Sequence, residues 1–476
     1  MTIENIFSAG GWLNQSLASL NDALWTYVVL VLLIGCALWF SFKTRLVQVR
    51  MLPEMVRLLG EGTRKDGGRH VSSFQAFAIS IASRVGTGNL AGVATAIALG
   101  GPGAVFWMWA IAILGAATAF VESTLAQLYK RQGEDASYIG GPAYYIMHGM
   151  HSRRLAALFA VLITMTFSMA YVSIQSNTIC GAMDKAFGVS PWAMGLVLVV
   201  LSTACVFGGI RRIARVSSVL VPLMAVLYVV LAASIIIMNA ALIPHVFKVI
   251  IENAFGLQPF AGGTLGMTMM NGIKRGLFSN EAGEGSAPNI AASADVSHPV
   301  KQGLVQSLGV FTDTLLVCSC TAFIILISGV YTHTGLNGIQ LTQAALQGQV
   351  GAAGTAFVAI AILLFAFSSI IGNYTYGEMN VKFLTPKRGW IVFLRLMNGA
   401  VMVFFGAMAS LDLVWSIGDL FMGCVTIVNL VAIVVLGRQA FFLLDDYLAQ
   451  KRSGVKSPTF HRSQMPEIEK EIACWD

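Results

Sequence analysis

Apolar runs long enough to cross a bilayer, roughly 17 to 25 residues each, recur eleven times along this chain of 476 residues. They fall at about 24–42, 74–98, 103–127, 155–178, 191–209, 218–239, 262–284, 304–329, 355–377, 390–409 and 414–436. A hydrocarbon core offers no water to unpaired backbone N–H and C=O groups, so runs of this length must be helical. Only 11% of the residues are charged, against roughly 25% in soluble domains. The sequence therefore predicts an all-α polytopic membrane protein whose surroundings are the lipid bilayer.

Lysine and arginine set the orientation, because they favour cytoplasmic loops. Outside the spans they lie in 43–73, 128–154, 210–217, 285–303, 378–389 and the tail after 436, with Lys185 and Lys248 the exceptions. Eleven crossings then place the N-terminus outside and the C-terminus in the cytoplasm, as expected for a multi-pass protein of the cytoplasmic membrane. The net charge of +7 reads as topology and gives no nucleic-acid partner. Residues 1–23 carry no lysine or arginine and no cleavage site follows the first apolar run, so 24–42 reads as a retained helix.

The organisation follows: residues 1–73 hold the first helix and a basic connector; 74–239 and 262–436 are five-helix units of opposite orientation; 240–261 is an outer amphipathic connector; 437–476 is a partly ordered cytoplasmic tail. Residues 140–150 suit a second amphipathic segment inside. The seven cysteines form no CxxC pair and read as small packing residues. All seven histidines fall outside the spans and no HExxH is present, so the sequence predicts no enzyme. It specifies no oligomeric state.

Two spans are interrupted by glycine and polar residues. Around Gly86-Thr87-Gly88-Asn89 and around Arg275-Gly-Leu-Phe-Ser-Asn-Glu-Ala-Gly283 the pattern Arg-x4-Asn-x-Ala-Gly repeats. Unwound backbone survives in a bilayer only where it lines a protected cavity, and matching interruptions in two halves of a chain point to a transport site. The freed N–H groups of Thr87 and Gly88 suit a substrate carboxylate, and the carbonyls of Ala82 and Val85 suit Na⁺. Tight helix packing is the other use of such a glycine pair. Ser368 and Ser369, with the carbonyl of Phe365, would complete an ion shell of five oxygens; the alternative is that both hydroxyls bond back within their helix. Arg84, Arg275, Glu281 and Glu284 are expected to pair across the two broken helices, because a buried guanidinium without a carboxylate is costly. Asp313 and Asn373 lie at similar depth. Glu122, near a span end, is expected to reach toward water.

The stretches Arg84-Val-Gly-Thr-Gly-Asn-Leu-Ala-Gly-Val-Ala-Thr-Ala-Ile97, Leu277-Phe-Ser-Asn-Glu-Ala-Gly-x-Gly-Ser-Ala-Pro288, Asp313-Thr-Leu and Phe365-Ala-Phe-Ser-Ser-Ile-Ile-Gly resemble the alanine or glycine:cation symporter family over essentially the whole chain. The resemblance implies uptake of small neutral amino acids, alanine and glycine above all, with Na⁺ as co-transported ion. It also implies one N-terminal helix ahead of an inverted five-plus-five core of the leucine-transporter type. By the same resemblance Gln175 contacts substrate, Val172 lines the pocket, and Met267, Met270, Asn271 and Phe278 cover it, beside Gly86, Thr87, Gly88, Asn89 and Ser369. Threonine often stands in the family where Ser369 stands here, and tryptophan where Asn373 stands, departures that bear on pocket size. Proton coupling is the alternative to Na⁺, with Asp313 or Glu281 as the carrier; a channel is the alternative to a transporter.

Overall fold

A computed structural model describes residues 12–61, 71–133, 137–207, 210–256, 264–332 and 335–475. Residues 257–263, the end of the expected connector 240–261 and the start of the expected span 262–284, lie outside the described residues, as do most of the basic connector at 62–70 and the side chains of 210–222. Apart from a two-residue ribbon pairing Arg131–Gln132 with Tyr138–Ile139, the described elements are helical.

Among the described residues, seven helices are long and apolar enough to cross a membrane: α1 (Gln15–Lys43), α4 (Ala104–Leu128), α5 (Arg153–Phe187), α11 (Pro299–Ser328), α13 (Ala352–Leu384), α14 (Arg388–Met408) and α15 (Leu411–Arg452). Each coincides with an expected span. The other four runs look different. Residues 74–98 form α2 (Ser73–Arg84) and α3 (Gly88–Gly100), separated by a break. Residues 262–284 form α9 (Leu265–Asn280), and the helix resumes only at α10 (Ala287–Ala291). Residues 191–209 give α6 (Pro191–Phe207), of 17 residues. Residues 218–239 lie largely in α7 (Ile210–Met238); its part from Leu223 bends by 78° against the helix that follows, and the bent pair makes an eighth candidate span. That helix, α8 (Ile243–Ala254), falls within the expected connector 240–261; its end is pinned by the Trp107 indole, which donates to the Ala254 carbonyl at 3.1 Å. The loop helix α12 (Gly338–Val350) has a buried stripe that includes Leu341, Ala345 and Leu346.

Broken helices α3 and α9 run antiparallel and very close. A Cβ at Gly88 would lie 2.9 Å from Ser279 Cα, and one at Gly100 3.3 Å from Thr268 Cα. Several long helices also widen locally to i→i+5 turns, at Gly88–Gly92, Thr166–Tyr171 and Phe311–Cys318 among others. Such turns frequently mark functional positions, and these three carry Asn89, Tyr171 and Asp313.

The tail is more ordered than the sequence suggests. Helix α15 runs to Arg452, past the expected end at 436, and the chain then folds back. Phe460 N–H donates to Ser297 O at 2.9 Å, Arg131 donates to Glu471 O at 2.8 Å, and the buried Trp475 indole donates to Gln127 O at 3.0 Å. The Lys130 ammonium sits 4.3 Å from the Trp475 ring centre. Polar composition concealed a few large apolar anchors spaced along the tail. Trp475→Phe keeps an aromatic ring but removes the indole donor and part of the buried ring, so the docked tail should weaken by at least about 1 kcal/mol, read as faster proteolytic release of the tail; an unchanged release rate would show that the indole contributes nothing.

Candidate functional site

At the first break the helical ladder fails at successive rungs. Gly86 N–H bonds to the side chain of Asn89 at 2.9 Å instead of to the carbonyl of Ala82, and Val85 is extended. The carbonyls of Ala82 and Val85 are thereby free to accept from elsewhere. Ser368 Oγ donates to Ala82 O at 3.1 Å and lies 2.7 Å from Phe365 O; Ser369 Oγ lies 3.2 Å from Val85 O and 3.1 Å from Phe365 O. The five oxygens singled out in the sequence thus come together, and both serines also bond back within α13. All five are neutral. Such a set suits a weakly held monovalent cation better than a divalent one.

Beyond the break, Thr87 N–H donates to Gln175 Oε1 at 3.0 Å. The amide oxygen occupies the position suited to a substrate carboxylate, at the positive end of α3. Gly86 has no room for a side chain: a Cβ there would meet Ser369 Oγ at 2.4 Å and Gln175 Oε1 at 3.0 Å. Val172 is fully buried one turn before Gln175. Phe278 packs between Tyr171 and Trp415, with ring centroids 4.6 and 4.7 Å away.

Asn89 faces the other way. Its amide donates to Asp313 Oδ1 at 2.7 Å, and Asp313 Oδ2 accepts from Ser279 at 2.6 Å and Thr314 at 3.0 Å. A single fully buried carboxylate therefore ties the first broken helix to the second. The role of Asn89 is to hold the break open, through Gly86, and to reach Asp313.

The second break is built from three left-handed residues, Glu281 (φ 56°), Gly283 (φ 97°) and Gly285 (φ 81°). The glycines adopt this conformation at little cost; for Glu281 it carries strain. Ala282 N–H is taken by Asn280 Oδ1 at 3.0 Å and Gly283 N–H by Glu122 at 3.2 Å, while Asn429 donates to Gly283 O at 2.9 Å.

The structure corrects three expectations. The predicted pairing of Arg84 and Arg275 with Glu281 and Glu284 is replaced by other partners. Arg275 bonds Asp419 of α15 at 2.6 Å and stacks on Trp415, its guanidinium 4.1 Å from the ring centre; Lys274 approaches the same carboxylate at 4.0 Å. Arg84 donates only weakly, to Gln306 O at 3.5 Å, although its charge acts on Glu281 and Glu284. Glu281 accepts from Ser286 at 2.5 Å and Glu284 from Tyr171 at 2.9 Å. Second, Met267, Met270 and Asn271 do not join Phe278 over the pocket. They precede it by two to three turns, roughly 10 to 16 Å along the helix, Met267 is 45% exposed, and Asn271 bonds back to Met267 O. Third, Glu122 does not reach water: it is fully buried, held by Gly283 N–H and by Asn429 at 2.7 Å. Tyr171, Trp415, Ser279 and Asp419 were not predicted as site residues. Asp419 had a signal, as the only acid in its span while Lys274, a basic residue within another span, had no assigned partner.

A cavity of about 290 Å³ opens one turn beyond Gln175, lined by Asn177, Thr178, Gly181, Leu336, Ile339 and Leu411 among others.

Comparison with known proteins converges on one family. The model of the sodium:alanine symporter family matches residues 11–462. A probable sodium/glutamine symporter of Bacillus subtilis is 49% identical over 455 residues, 96% of this chain and 94% of that protein. A putative sodium/proton-dependent alanine carrier of the same organism is 46% identical over 456 residues, 92% and 93% of the two chains. Among solved structures, a mutant manganese transporter of Eremococcus coleocola superposes with TM-score 0.51 at 14% identity, covering 80% of this chain and 87% of that one, a likeness of fold alone. With a family match across nearly its whole length and apolar helices that cross a membrane, the chain is a multi-pass transport protein and belongs to the sodium:alanine symporter family.

Proposed function

We propose that the protein imports small neutral amino acids, alanine and glycine first, together with Na⁺. The observation that carries this reading is the convergence of Ala82 O, Val85 O, Phe365 O, Ser368 Oγ and Ser369 Oγ at the first break. All five oxygens come from backbone or hydroxyl groups, two from the end of α2 and its break and three from α13, and Na⁺ between them would hold the two helices together. The substrate carboxylate would take the Thr87 and Gly88 N–H groups, displacing Gln175 Oε1, with Phe278 above it. Bound ion and substrate would then be linked through Gly86, whose neighbours belong to both sites.

The antiparallel approach of α3 and α9 supports an inverted five-plus-five core preceded by α1, eleven crossings in all, with the N-terminus outside. On that orientation the cavity beside Thr178 is the outer entrance and the docked tail lies in the cytoplasm. The relatives' names divide between alanine and glutamine and between sodium alone and sodium with protons, so the decisive measurement is labelled alanine uptake into proteoliposomes under separate Na⁺ and H⁺ gradients. Uptake driven by a proton gradient without Na⁺ would overturn the reading. In Ser368→Ala with Ser369→Ala two ligands disappear, each worth about 1 kcal/mol, so the Na⁺ concentration for half-maximal uptake should rise roughly 10-fold or more. An unchanged Na⁺ dependence would remove the serines from the ion site. Glycine and serine should compete with alanine far better than phenylalanine, because Phe278 is wedged between two rings and yields only at a cost.

A further inference from the structure

The second break buries more acid than it neutralises. Glu122, Glu281 and Glu284 are each at most 2% exposed, and all three interact with one another. The charged and titratable groups facing Glu284 are Glu281 and Glu122, Arg84 from α2, Tyr171 from α5 and Tyr376 from α13, with Tyr145 behind Glu122. Arg84 is the one cation among them. Two of its donor nitrogens, Nε and Nη2, have no hydrogen-bond partner, so it forms no close ion pair with any of the three acids. Three ionised carboxylates around one guanidinium, whose charge also acts on the buried Asp313, would leave at least two negative charges uncompensated in a low-dielectric interior. Like charges so placed cannot all remain ionised.

Hydrogen bonding identifies where a proton is best held. Glu122 receives a donor on each oxygen, from Gly283 N–H and from Asn429, so a proton there competes with an existing bond. Glu281 accepts the Ser286 hydroxyl. Glu284 accepts Tyr171 on Oε2, while its fully buried Oε1 has no partner at all. A bare carboxylate oxygen in this setting is unfavourable, and a proton on it disrupts nothing.

We propose that Glu284 is a proton-binding site, taking a proton from water to become a neutral carboxylic acid and returning it to water during the transport cycle, and that Tyr171 relays its state to the substrate site. The relay is short. Tyr171 Oη bonds Glu284 at 2.9 Å, its ring lies 4.6 Å from Phe278, and it precedes Gln175 by one turn of the same helix. An ionised Glu284 is the stronger acceptor for the phenol, so deprotonation anchors the turn that presents Gln175 to Thr87.

The role in transport rests on the Na⁺-coupled reading; the proton site itself does not, and the experiment separates them. Infrared difference spectra of the purified, lipid-reconstituted protein, recorded over a pH range from acid to alkaline, should contain a buried carboxylic-acid C=O band that titrates with pH. The band should vanish in Glu284→Gln and shift in frequency in Tyr171→Phe, which removes the phenol from the same carboxyl. A band that persists in Glu284→Gln overturns the assignment, as does a band unmoved by Tyr171→Phe if the first variant fails to fold. In uptake assays at fixed Na⁺ gradient, half-saturating alanine should change about 10-fold across that pH range in the natural protein and stay flat in Glu284→Gln. A natural profile in that variant overturns the relay. Absence of any Na⁺-driven uptake in the natural protein would sink the transport reading and leave the infrared result to decide the proton site.

Discussion

Gly86→Val should reach the membrane folded and yet transport nothing measurable. The new Cβ would fall 2.4 Å from Ser369 Oγ and 3.0 Å from Gln175 Oε1, so an ion ligand and the cap on the Thr87 N–H must both move. Crowding of this kind costs roughly 1–3 kcal/mol for each displaced group, and with two displaced the loss of apparent affinity should exceed about 100-fold. Its two nearest neighbours are a hydroxyl and an amide oxygen, which can turn away, with Ser369 Cβ behind them at 3.2 Å, so the protein should still fold. Gly88→Val is the informative comparison: there the obstacle is the backbone of Ser279 at 2.9 Å, which cannot give way without parting the two broken helices. It should lower folded yield. Na⁺-stimulated uptake of near-natural size by Gly86→Val would mean that Ser369 and Gln175 do not work at this break.

Asp419→Asn should be among the most destabilising conservative changes in the molecule. Asp419 is the shared carboxylate of Arg275, at 2.6 Å, and Lys274, at 4.0 Å, and both cations are buried. Removing the anion leaves them uncompensated, at a cost of roughly 3–5 kcal/mol, visible as a large fall in thermal unfolding temperature of the protein in detergent. Adding Arg275→Gln to Asp419→Asn should recover part of the loss, since the two changes act on one interaction. A single variant as stable as the natural protein, or a pair whose effects simply add, would show that this buried pair contributes little.

How much of this was legible in the chain depends on whether a feature is local. The breaks were, because glycine and small polar residues in an apolar run have one main use in a bilayer, and the serine pair was, because adjacent hydroxyls in such a run need partners. The ionic partners were not. Arg275 finds a carboxylate 144 residues away, and nothing in the residues around either predicts which of several acids will stand opposite. Glu122 misled because span-end position was taken to mean access to water, whereas α4 buries its whole C-terminal half against neighbouring helices. The methionines of α9 failed on simple pitch: residues eight and eleven positions from Phe278 cannot close the same methyl-sized space. The tail failed on composition, which averages Phe460, Ile472 and Trp475 into a polar background although each is about 1% exposed.

The amide of Gln175 bonded to Thr87 N–H has a bearing on selectivity. If substrate takes that N–H, it enters by exchange: one oxygen acceptor leaves as another arrives, and the number of hydrogen bonds on the helix end stays constant. What changes is charge, because a neutral amide is replaced by a carboxylate at the positive end of α3. Amino acids whose carboxylate has been esterified or amidated would gain nothing from the trade, so alaninamide and alanine methyl ester should bind scarcely at all even though they fit. The glutamine side chain would thus serve as a resident competitor, setting a threshold that only a charged visitor crosses.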